Sequence, residues 1–244
     1  MKQAPGPNPL FDAEPGVRKV RSFVLREGRL TPAQQRALGE LWPRFGIDNA
    51  HTPIDLAATF GRDAPVIVEI GFGSGDTLAH MAREAPETNF VGIEVHRPGI
   101  GHLLNLLQEQ SIDNVRVICA DAVQVLTERI ADSELAGLRL YFPDPWPKKR
   151  HHKRRIVQPP WVDLVARRLR PGGVLHMATD WIPYAEHMLE VASAEPLLEN
   201  IASDGTWVDR PSWRPETRFE HRGEALGHGV RDLMFRRTDP AALR

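Results

Sequence analysis

The chain of 244 residues is 41% hydrophobic, which is ordinary for a globular protein and sufficient for one well-buried α/β domain with terminal extensions. Its formal net charge of −1 excludes no class of partner, because it averages an even acidic background with a basic block at Lys148 to Arg155. The single cysteine, Cys119, excludes an intramolecular disulfide and an all-cysteine metal site, and neither a signal-peptide core nor a membrane span is evident, so we expect a cytoplasmic protein.

The amino-terminal region is predicted to be accessory to the main domain. Residues 1–17 are rich in Pro and Gly and poor in large apolar residues, which favours a flexible lead-in. Residues 18–54 include Thr31-Pro32, a predicted helix N-cap followed by Pro at the first helical position, and we expect them to form an extension docked on the core. The core domain is expected to span residues 55–244.

From Pro65 onward, short β-branched runs alternate with helical ones, which predicts a parallel sheet with helices on its faces. The predicted strands are Val66 to Ile70, Phe90 to Val95, Val115 to Ala120, Leu138 to Phe142 and Val174 to Thr179. The predicted helices are Asp76 to Ala85, Pro98 to Gln110, Ala122 to Ile130, Pro159 to Leu169 and Ile182 to Ala194. The turn Arg170-Pro171-Gly172-Gly173 is predicted to end a helix, and Asp232 to Arg237 is interpreted as an edge strand.

A glycine loop follows the first of these strands. The sequence VIVEIGFGSGDTL places Gly71, Gly73 and Gly75 between an apolar strand and a helix, at the sheet edge where open α/β folds bind ligands. The G-x-G-x-G spacing lacks the third glycine position of the dinucleotide fingerprint, and by itself it is also compatible with a mere tight turn. The loop therefore predicts a ligand site without naming the ligand.

Three carboxylates accompany the loop. Glu94 ends the second strand, where a carboxylate accepts the hydroxyls of a ribose; Asp121 ends the third, where it can face an adenine amino group; Glu69 lies inside the first. Each has an alternative as a helix N-cap or a solvated strand end, which for Asp121 alone is the preferred interpretation. Together they favour a cationic or zwitterionic nucleoside over a pyrophosphate, which they would repel. S-adenosylmethionine, with a sulfonium, an ammonium and a ribose, meets that description.

The fourth strand runs into Pro143-Asp144-Pro145-Trp146-Pro147, where the prolines should stiffen the chain. A rigid turn at the carboxyl end of a strand suits a catalytic or substrate-positioning carboxylate, here Asp144. The alternative is a structural turn with Trp146 as a packing residue.

The basic block that follows the turn favours the functional alternative. Its cations are too dense to be paired by the few neighbouring acids, and the block adjoins the predicted active edge, so a polyanion is the expected ligand. Single-stranded or looped nucleic acid is favoured over a duplex, since chemistry on a base requires an unstacked base, and Trp146 is a candidate stacking surface. The block comprises Lys148, Lys149, Arg150, His151, His152, Lys153, Arg154 and Arg155.

Two further stretches are weak candidates on chemistry alone. Asp180 closes the fifth strand, and WRPETRFE at Trp213 to Glu220 supplies paired charge and aromatic surface. Their alternatives are a helix N-cap and a charged loop.

With these residues in view, the chain resembles the bacterial tRNA (guanine-N7)-methyltransferase family. The resemblance runs from RSFVLREGRL through EIGFGSG, GIEVH, FPDPWPKKRHHKRR, RPGG and ATDW to TRFE, and FPDPWPKKRHHKRR is its most specific motif. It implies a class I methyltransferase fold, an α/β Rossmann-like, mostly parallel seven-stranded sheet with helices on both faces. It also implies that the catalytic domain transfers a methyl group from S-adenosyl-L-methionine to N7 of a guanosine in tRNA, expected in the variable loop.

The same resemblance implies roles for individual residues. Donor contacts fall on Glu69, Glu94, Asp121 and Asp144, and Asp144 is also the implied catalytic residue. The implied guanosine contacts are Lys148, Asp180, Thr217, Arg218, Phe219 and Glu220, and the implied RNA contacts are Arg150, His151, His152, Lys153, Arg154 and Arg155. We expect Asp144 either to stabilise positive charge on the methylated purine or to hold its N1 and N2 protons, with Asp180 or Glu220 as the other carboxylate.

Three other functions stay open on the residues alone. A dinucleotide-dependent oxidoreductase would use the same strand, glycine loop and Glu94. A non-catalytic RNA-binding protein would keep the fold without the chemistry, and a methyltransferase acting on another RNA or on a protein arginine would keep the donor site. No metal is expected, because the histidines lack the spacing of metal ligands.

Overall fold

The computed structural model describes residues 28–48, 52–216, 220 and 229–239. One sheet is formed by β1 (Val66–Ile70), β2 (Asn89–Ile93), β3 (Val115–Ile118), β4 (Leu135–Tyr141), β5 (Leu169–Thr179), β6 (Leu198–Asn200) and β7 (Arg231–Arg237). The order across the sheet is β3-β2-β1-β4-β5-β7-β6. Strands β1 to β5 run parallel, and β7 is antiparallel to both of its neighbours, so the predicted mostly parallel seven-stranded sheet is confirmed.

Helices cover both faces of this sheet. They are α1 (Pro32–Glu40), α2 (Trp42–Phe45), α3 (Leu56–Phe60), α4 (Asp76–Glu84), α5 (Arg97–Glu109), α6 (Ala122–Glu128), α7 (Pro159–Arg168) and α8 (Ile182–Ser193), with a 3₁₀-helix at Lys149–Arg154. Alternation along β1 divides the core in two. Val66, Val68 and Ile70 join an apolar cluster with α6, α7 and α8, whereas Ile67 packs against a second cluster with α4 and α5.

Two predictions about the second half of the sheet are wrong. β7 is not an edge strand, because it lies between β5 and the short β6. The turn at 170–173 does not end a helix: α7 ends at Arg168, its C-cap Leu169 is extended, and Leu169 already pairs with Leu135 of β4. Gly172, with φ of 79°, lies where the pairing of β5 with β4 changes register, so glycine serves an irregular strand there instead of a helix cap.

Residues 28–48 pack on the α5 side of the sheet. The predicted N-cap is confirmed, since Thr31 Oγ1 accepts a hydrogen bond from the Gln34 amide and the Gln34 side chain accepts one from the Thr31 amide. α1 lies so close to α5 that a Cβ on Gly101 would collide with Gln34. After α2, the Ile47 amide donates to the Val117 carbonyl of β3 at 2.8 Å. The predicted lead-in at residues 1–17 lies outside the described residues.

Of the helices that the structure describes, none is both long and apolar enough to cross a membrane. The same part of the chain contains no group of three or more His, Cys, Asp and Glu side chains arranged to hold a metal ion.

Candidate active site

A cavity of about 240 Å³ opens at the carboxyl ends of β1 to β4, the edge at which parallel sheets bind ligands. Its wall brings together four residues that the sequence singled out, namely Gly71, Glu94, Asp121 and Asp144. Ile70, Ile93, Leu140 and Phe142 supply part of its apolar surface. Glu69, Gly73 and Gly75 do not line this cavity.

The glycine loop passes from β1 into α4 through backbone conformations that favour glycine. The angle φ is 72° at Gly71, 60° at Gly73 and 82° at Gly75, all in the left-handed region. At Gly75 a Cβ would also come within 2.7 Å of the Leu103 side chain. The Gly71 amide donates to the Ile93 carbonyl at 2.8 Å, which ties the loop to β2 and fixes the rim of the cavity.

Backbone amides already hold the carboxylate of Glu94. Its Oε2 atom accepts from Gly73 N at 2.9 Å, and its Oε1 atom accepts from Val95 N at 2.6 Å and His96 N at 2.9 Å. A carboxylate offers about four lone-pair sites, so these three bonds leave room for roughly one further donor. In this geometry we therefore expect Glu94 to accept a hydrogen bond from one ribose hydroxyl, and not from both.

Asp121 combines two roles. Its Oδ1 atom accepts from the Val123 amide at 2.9 Å, so the interpretation of Asp121 as the N-cap of α6 is confirmed. The cap uses only one oxygen, and the half-buried residue also lines the cavity. The N-cap role is therefore compatible with a ligand contact.

Glu69 is buried beneath the glycine loop, with 3% of its surface exposed. Side chains alternate along a strand, so Glu69 lies on the α4 side of the sheet, beside its register partner Arg139 of β4. Its Oε2 atom has no hydrogen-bond partner among the described residues. Burial raises the pKa of Glu69 to about 7, while the charge of Arg139 lowers that pKa and the charge of Glu94 raises it further. Such a carboxyl group would be stabilised in its ionised form by a nearby cation.

The turn after β4 is strained at both ends. Phe142 and Trp146 have φ of 49° and 44°, although each precedes a proline, a position that normally favours an extended backbone. A non-glycine residue in this region costs on the order of 1–3 kcal/mol, and tertiary contacts such as the bond from the Phe142 amide to the Ala178 carbonyl, at 2.8 Å, oppose that cost. Between the strained residues, Asp144 is exposed at the cavity.

Trp146 packs against the basic block. The guanidinium of Arg154 lies 4.3 Å from the centroid of its ring, and the His151 ring meets it edge-on at 5.8 Å. The predicted packing role of Trp146 is thereby confirmed. Arg154 covers one face of the ring, and the role of Trp146 as a stacking surface for a base stays a prediction.

Most of the basic block is accessible. Lys148 precedes the 3₁₀-helix, and within the described part of the chain none of the block's side chains forms an ion pair with a carboxylate. Lys148, Lys149, Arg150 and Lys153 are exposed, and His151, His152 and Arg154 are half-buried. Partial desolvation, followed by the charges of the neighbouring cations, lowers the pKa of His151. The block is therefore a concentration of uncompensated positive charge next to the cavity.

Arg155 differs from the other cations of the block. It is only 4% exposed, its Nε atom donates to the Pro145 carbonyl at 2.9 Å, and its guanidinium lies 4.7 Å from the centroid of the Tyr184 ring. Through the bond to Pro145, Arg155 stabilises the turn that carries Asp144. Its Nε atom thus faces the protein, and engagement of RNA by Arg155 stays a prediction.

The two weak candidates have different outcomes. Trp181, and not Asp180, is the N-cap of α8, so the N-cap interpretation of Asp180 is wrong and its role as a site residue stays a prediction. Thr217, Arg218 and Phe219 lie outside the described residues. Glu220 is not part of an exposed charged loop: it is 3% exposed and its two carboxylate oxygens accept from Arg214 at 2.6 and 2.7 Å.

A buried polar chain on the α4 side of the sheet was not predicted. The Tyr141 hydroxyl and His176 Nδ1 are 2.9 Å apart, His176 Nε2 donates to Asp232 at 2.7 Å, and Arg214 bonds both Asp232 and Glu220. The available signal was His176, a polar residue within the apolar run of LHMAT; Asp232 stands between Arg231 and the apolar run LMF and gave no comparable signal.

Known proteins resemble this chain over most of its length. Residues 63–233 match the model of a family described as putative methyltransferase. The chain is 60% identical over 223 residues to the tRNA (guanine-N(7)-)-methyltransferase of Aeromonas hydrophila subsp. hydrophila, covering 91% of this chain and 94% of the relative. It is 58% identical over 226 residues to that of Alcanivorax borkumensis, covering 92% and 95%. The crystal structure of the 16S rRNA methyltransferase KamB, 14% identical, covers 77% of this chain and 95% of that one with a TM-score of 0.57, a likeness of fold alone.

Proposed function

The chain belongs to the tRNA (guanine-N(7)-)-methyltransferase family, and from that premise we propose that it transfers a methyl group from S-adenosyl-L-methionine to N7 of a guanosine in tRNA, in the variable loop. The observation that carries the proposal is one continuous segment. The strained turn at 142–147 presents Asp144 to a carboxylate-lined cavity, and the uncompensated basic block follows it directly. A site for a cationic nucleoside thus adjoins a site for a polyanion.

The residues of the cavity fit the proposed donor. The Glu94 carboxylate can accept one further hydrogen bond, from a ribose hydroxyl. Asp121 lies at the carboxyl end of β3, where it can accept a hydrogen bond from an adenine amino group. Glu69 does not line the cavity, but it lies in the strand that leads into the glycine loop, and its buried Oε2 atom, which has no partner among the described residues, would favour a nearby cation such as the donor's ammonium or sulfonium group. When bound, the donor supplies an electrophilic methyl group; the protein's own contribution is orientation and charge.

Guanine N7 carries an in-plane lone pair and no proton at neutral pH, so the nucleophile needs no general base. Orientation of N7 in line with the methyl–sulfur bond is then the main task, and good orientation can lower a barrier by about 7–11 kcal/mol. The donor would supply its methyl group to N7 and leave as a neutral thioether, so the positive charge to be stabilised would lie on the purine. The exposed carboxylate of Asp144 can stabilise that charge or hold the N1 and N2 protons of the base.

The proposed substrate surface begins at Lys148. Lys148, Arg150, Lys153 and Arg154, with His151 and His152, supply donors for RNA phosphates, whereas Arg155 supports the turn. Asp180, at the carboxyl end of β5, is the proposed second carboxylate near the guanine, and Thr217, Arg218 and Phe219 are proposed guanosine contacts on the strength of the family motif. Glu220, the last residue of that motif, is a further proposed guanosine contact on the same ground.

The test is methyl transfer from labelled donor to an unmodified tRNA transcript, followed by mapping of the modified nucleotide. Label at guanine N7 in the variable loop is the expected result. Label at another position of tRNA, or only on other RNA or protein, would refute the proposed substrate. Binding of NAD in preference to S-adenosylmethionine would refute the donor and restore the oxidoreductase alternative.

A further inference from the structure

One face of α5 is fitted to the glycine loop. The helix begins at Arg97, three residues after Glu94. Gly99, His102 and Leu103 are spaced as i, i+3 and i+4, so they lie on one side of the helix. None of these three residues lines the cavity, so any effect that they have on a ligand passes through the loop.

The contact at Gly99 leaves no room for a side chain. A Cβ at Gly99 would lie 1.9 Å from the carbonyl oxygen of Gly73 and 2.9 Å from its carbonyl carbon. Both are backbone atoms, which cannot turn aside as the end of a flexible side chain can. A side chain at residue 99 would therefore displace either the loop or the start of α5.

The two residues that follow Gly73 are held by the same helix face. His102 Nδ1 and the Ser74 carbonyl oxygen are 2.9 Å apart. A carbonyl oxygen can only accept, so Nδ1 carries the proton and donates. At the next residue, a Cβ on Gly75 would lie 2.7 Å from the Cβ atom of Leu103. α5 thus contacts three consecutive residues of the loop.

A single hydrogen bond connects this packing to the wall of the cavity. The Gly73 amide donates to Glu94 Oε2 at 2.9 Å, while the carbonyl group of the same residue faces Gly99. A displacement of Gly73 would therefore lengthen or break a charge-assisted bond to the carboxylate that lines the cavity. The position of the loop and the orientation of Glu94 are in this way coupled.

Resting on the proposed function, we propose that Gly99 and His102 are positioning residues of the donor site. They hold the glycine loop where the Gly73 amide fixes the carboxylate of Glu94 for the donor. Gly99 does so by allowing the close approach of the two backbones, and His102 by its bond to Ser74. Donor affinity, and not RNA affinity, depends on them.

The experiment compares Gly99→Ala with Gly101→Ala in the full-length protein. Both variants add one methyl group to α5 and share the gain in helix propensity of alanine over glycine. A Cβ at Gly101 meets Gln34 of α1 instead of the loop, at 2.8 Å from its Cβ and 2.9 Å from its carbonyl oxygen, so Gly101→Ala is the matched control. Readouts are the Kd for S-adenosylmethionine, the Kd for tRNA, kcat, the KM for the donor, and Tm.

For Gly99→Ala we expect the donor Kd to rise at least about tenfold, because a hydrogen bond to a charged carboxylate is weakened. The KM for the donor should rise with it while kcat at saturating donor is unchanged, the pattern of lost ground-state binding. The Kd for tRNA should stay within about twofold of the wild type, since it depends on the phosphate contacts of the basic block. Gly101→Ala should lower Tm and leave the donor Kd unchanged.

A second pair of variants tests the bond from His102 and serves if Gly99→Ala fails to fold. His102→Leu removes the donor to the Ser74 carbonyl and should raise the donor Kd about three- to tenfold, the effect of one neutral hydrogen bond. His102→Asn retains an N–H donor close to the position of Nδ1 and should restore the donor Kd to within about twofold of the wild type.

Two results would overturn the inference. A donor Kd that stays at the wild-type value in Gly99→Ala and His102→Leu would show that the loop does not need this support. Equal losses of donor affinity in Gly99→Ala and Gly101→Ala would show a general loosening of α5. A wild type that binds S-adenosylmethionine without methylating tRNA refutes only the proposed substrate, and the donor Kd values still decide; a wild type that binds no S-adenosylmethionine refutes the proposed donor and this inference with it.

Discussion

Replacement of the buried Glu69 by glutamine should stabilise the free protein, and the stabilisation should grow with pH. Burial raises the pKa of Glu69 from 4.5 to about 7, so folding favours the neutral carboxyl group. A group whose folded pKa exceeds its unfolded value contributes stability that is present below pH 4.5 and is lost as the pH rises through about 7. The Glu69→Gln variant has a side chain of the same size that does not ionise, and it therefore avoids this loss.

The interval between 4.5 and about 7 corresponds to about 3 kcal/mol in the free energy of unfolding, most of it lost by the wild type between pH 5 and pH 8. For a chain of this length 1 kcal/mol shifts Tm by about 2–4 °C. At pH 8 the variant should therefore melt roughly 6–12 °C above the wild type, whereas at pH 5 the difference should be a small part of that.

Calorimetric or urea unfolding without donor, at pH 5 and pH 8, measures the effect. Glu84→Gln on α4 is the control, because Glu84 is an exposed carboxylate whose ion pair among the described residues is with its neighbour Arg83. This variant should stay within about 0.5 kcal/mol of the wild type at both pH values. A Glu69→Gln variant whose stability follows that of the wild type at both pH values would refute the assignment of Glu69 as a buried, neutral-poised carboxyl. The same variant should bind S-adenosylmethionine more weakly, since it cannot offer negative charge.

Three further substitutions test the division of labour in the site. Asp144→Ala should lower kcat by about 10²–10³-fold while the Kd for tRNA stays within about threefold, and single-turnover rates near those of the wild type would remove Asp144 from the mechanism. Glu94→Gln turns an amide towards the backbone donors that hold Glu94, so calorimetric titration should show donor affinity weakened at least about tenfold, with unchanged affinity contradicting the proposed role. Arg154→Ala should weaken tRNA binding and reduce the slope of its logarithmic salt dependence by about 0.7–0.9; Arg155→Ala should leave that slope unchanged and cost about 1–3 kcal/mol of stability, and the reverse pattern would return Arg155 to the RNA surface.

Sequence periodicity predicted those helices and strands that are specified by local signals in the chain. β1 has the predicted bounds, and α4 to α8 begin and end close to the predicted residues, because an apolar strand, a capping residue and an amphipathic helix are local signals. The place of β7 was not predictable in this way. Which strands flank a strand depends on pairings between distant residues, and the apolar run of β7 suits an edge and an inner position equally well.

In the site, residue types predicted the chemistry of the cavity better than they predicted the hydrogen-bond partners of individual side chains. The carboxylates Glu94, Asp121 and Asp144 do meet at one cavity, since the carboxyl ends of parallel strands share an edge of the sheet. Arg155 was grouped with its basic neighbours because composition does not reveal that one side chain of the block turns towards Pro145. Arg214 belongs to the predicted stretch Trp213 to Glu220, but composition does not reveal that it is buried and that it pairs with both Glu220 and the distant Asp232.

The inner position of β7 also sets an order for folding. Its pairing with β5 joins Thr179 to Arg231 and Val174 to Arg236, partners more than fifty residues apart, whereas the parallel strands β1 to β5 are joined in turn by one helix each, or by the 3₁₀-helix and α7 between β4 and β5. Closing such a long loop carries an entropic cost that delays the contact relative to local ones. A nascent chain with β1 to β5 assembled would then form the cavity at the ends of β1 to β4 first, and the buried pair of Asp232 with Arg214 would form only when β7 enters the sheet.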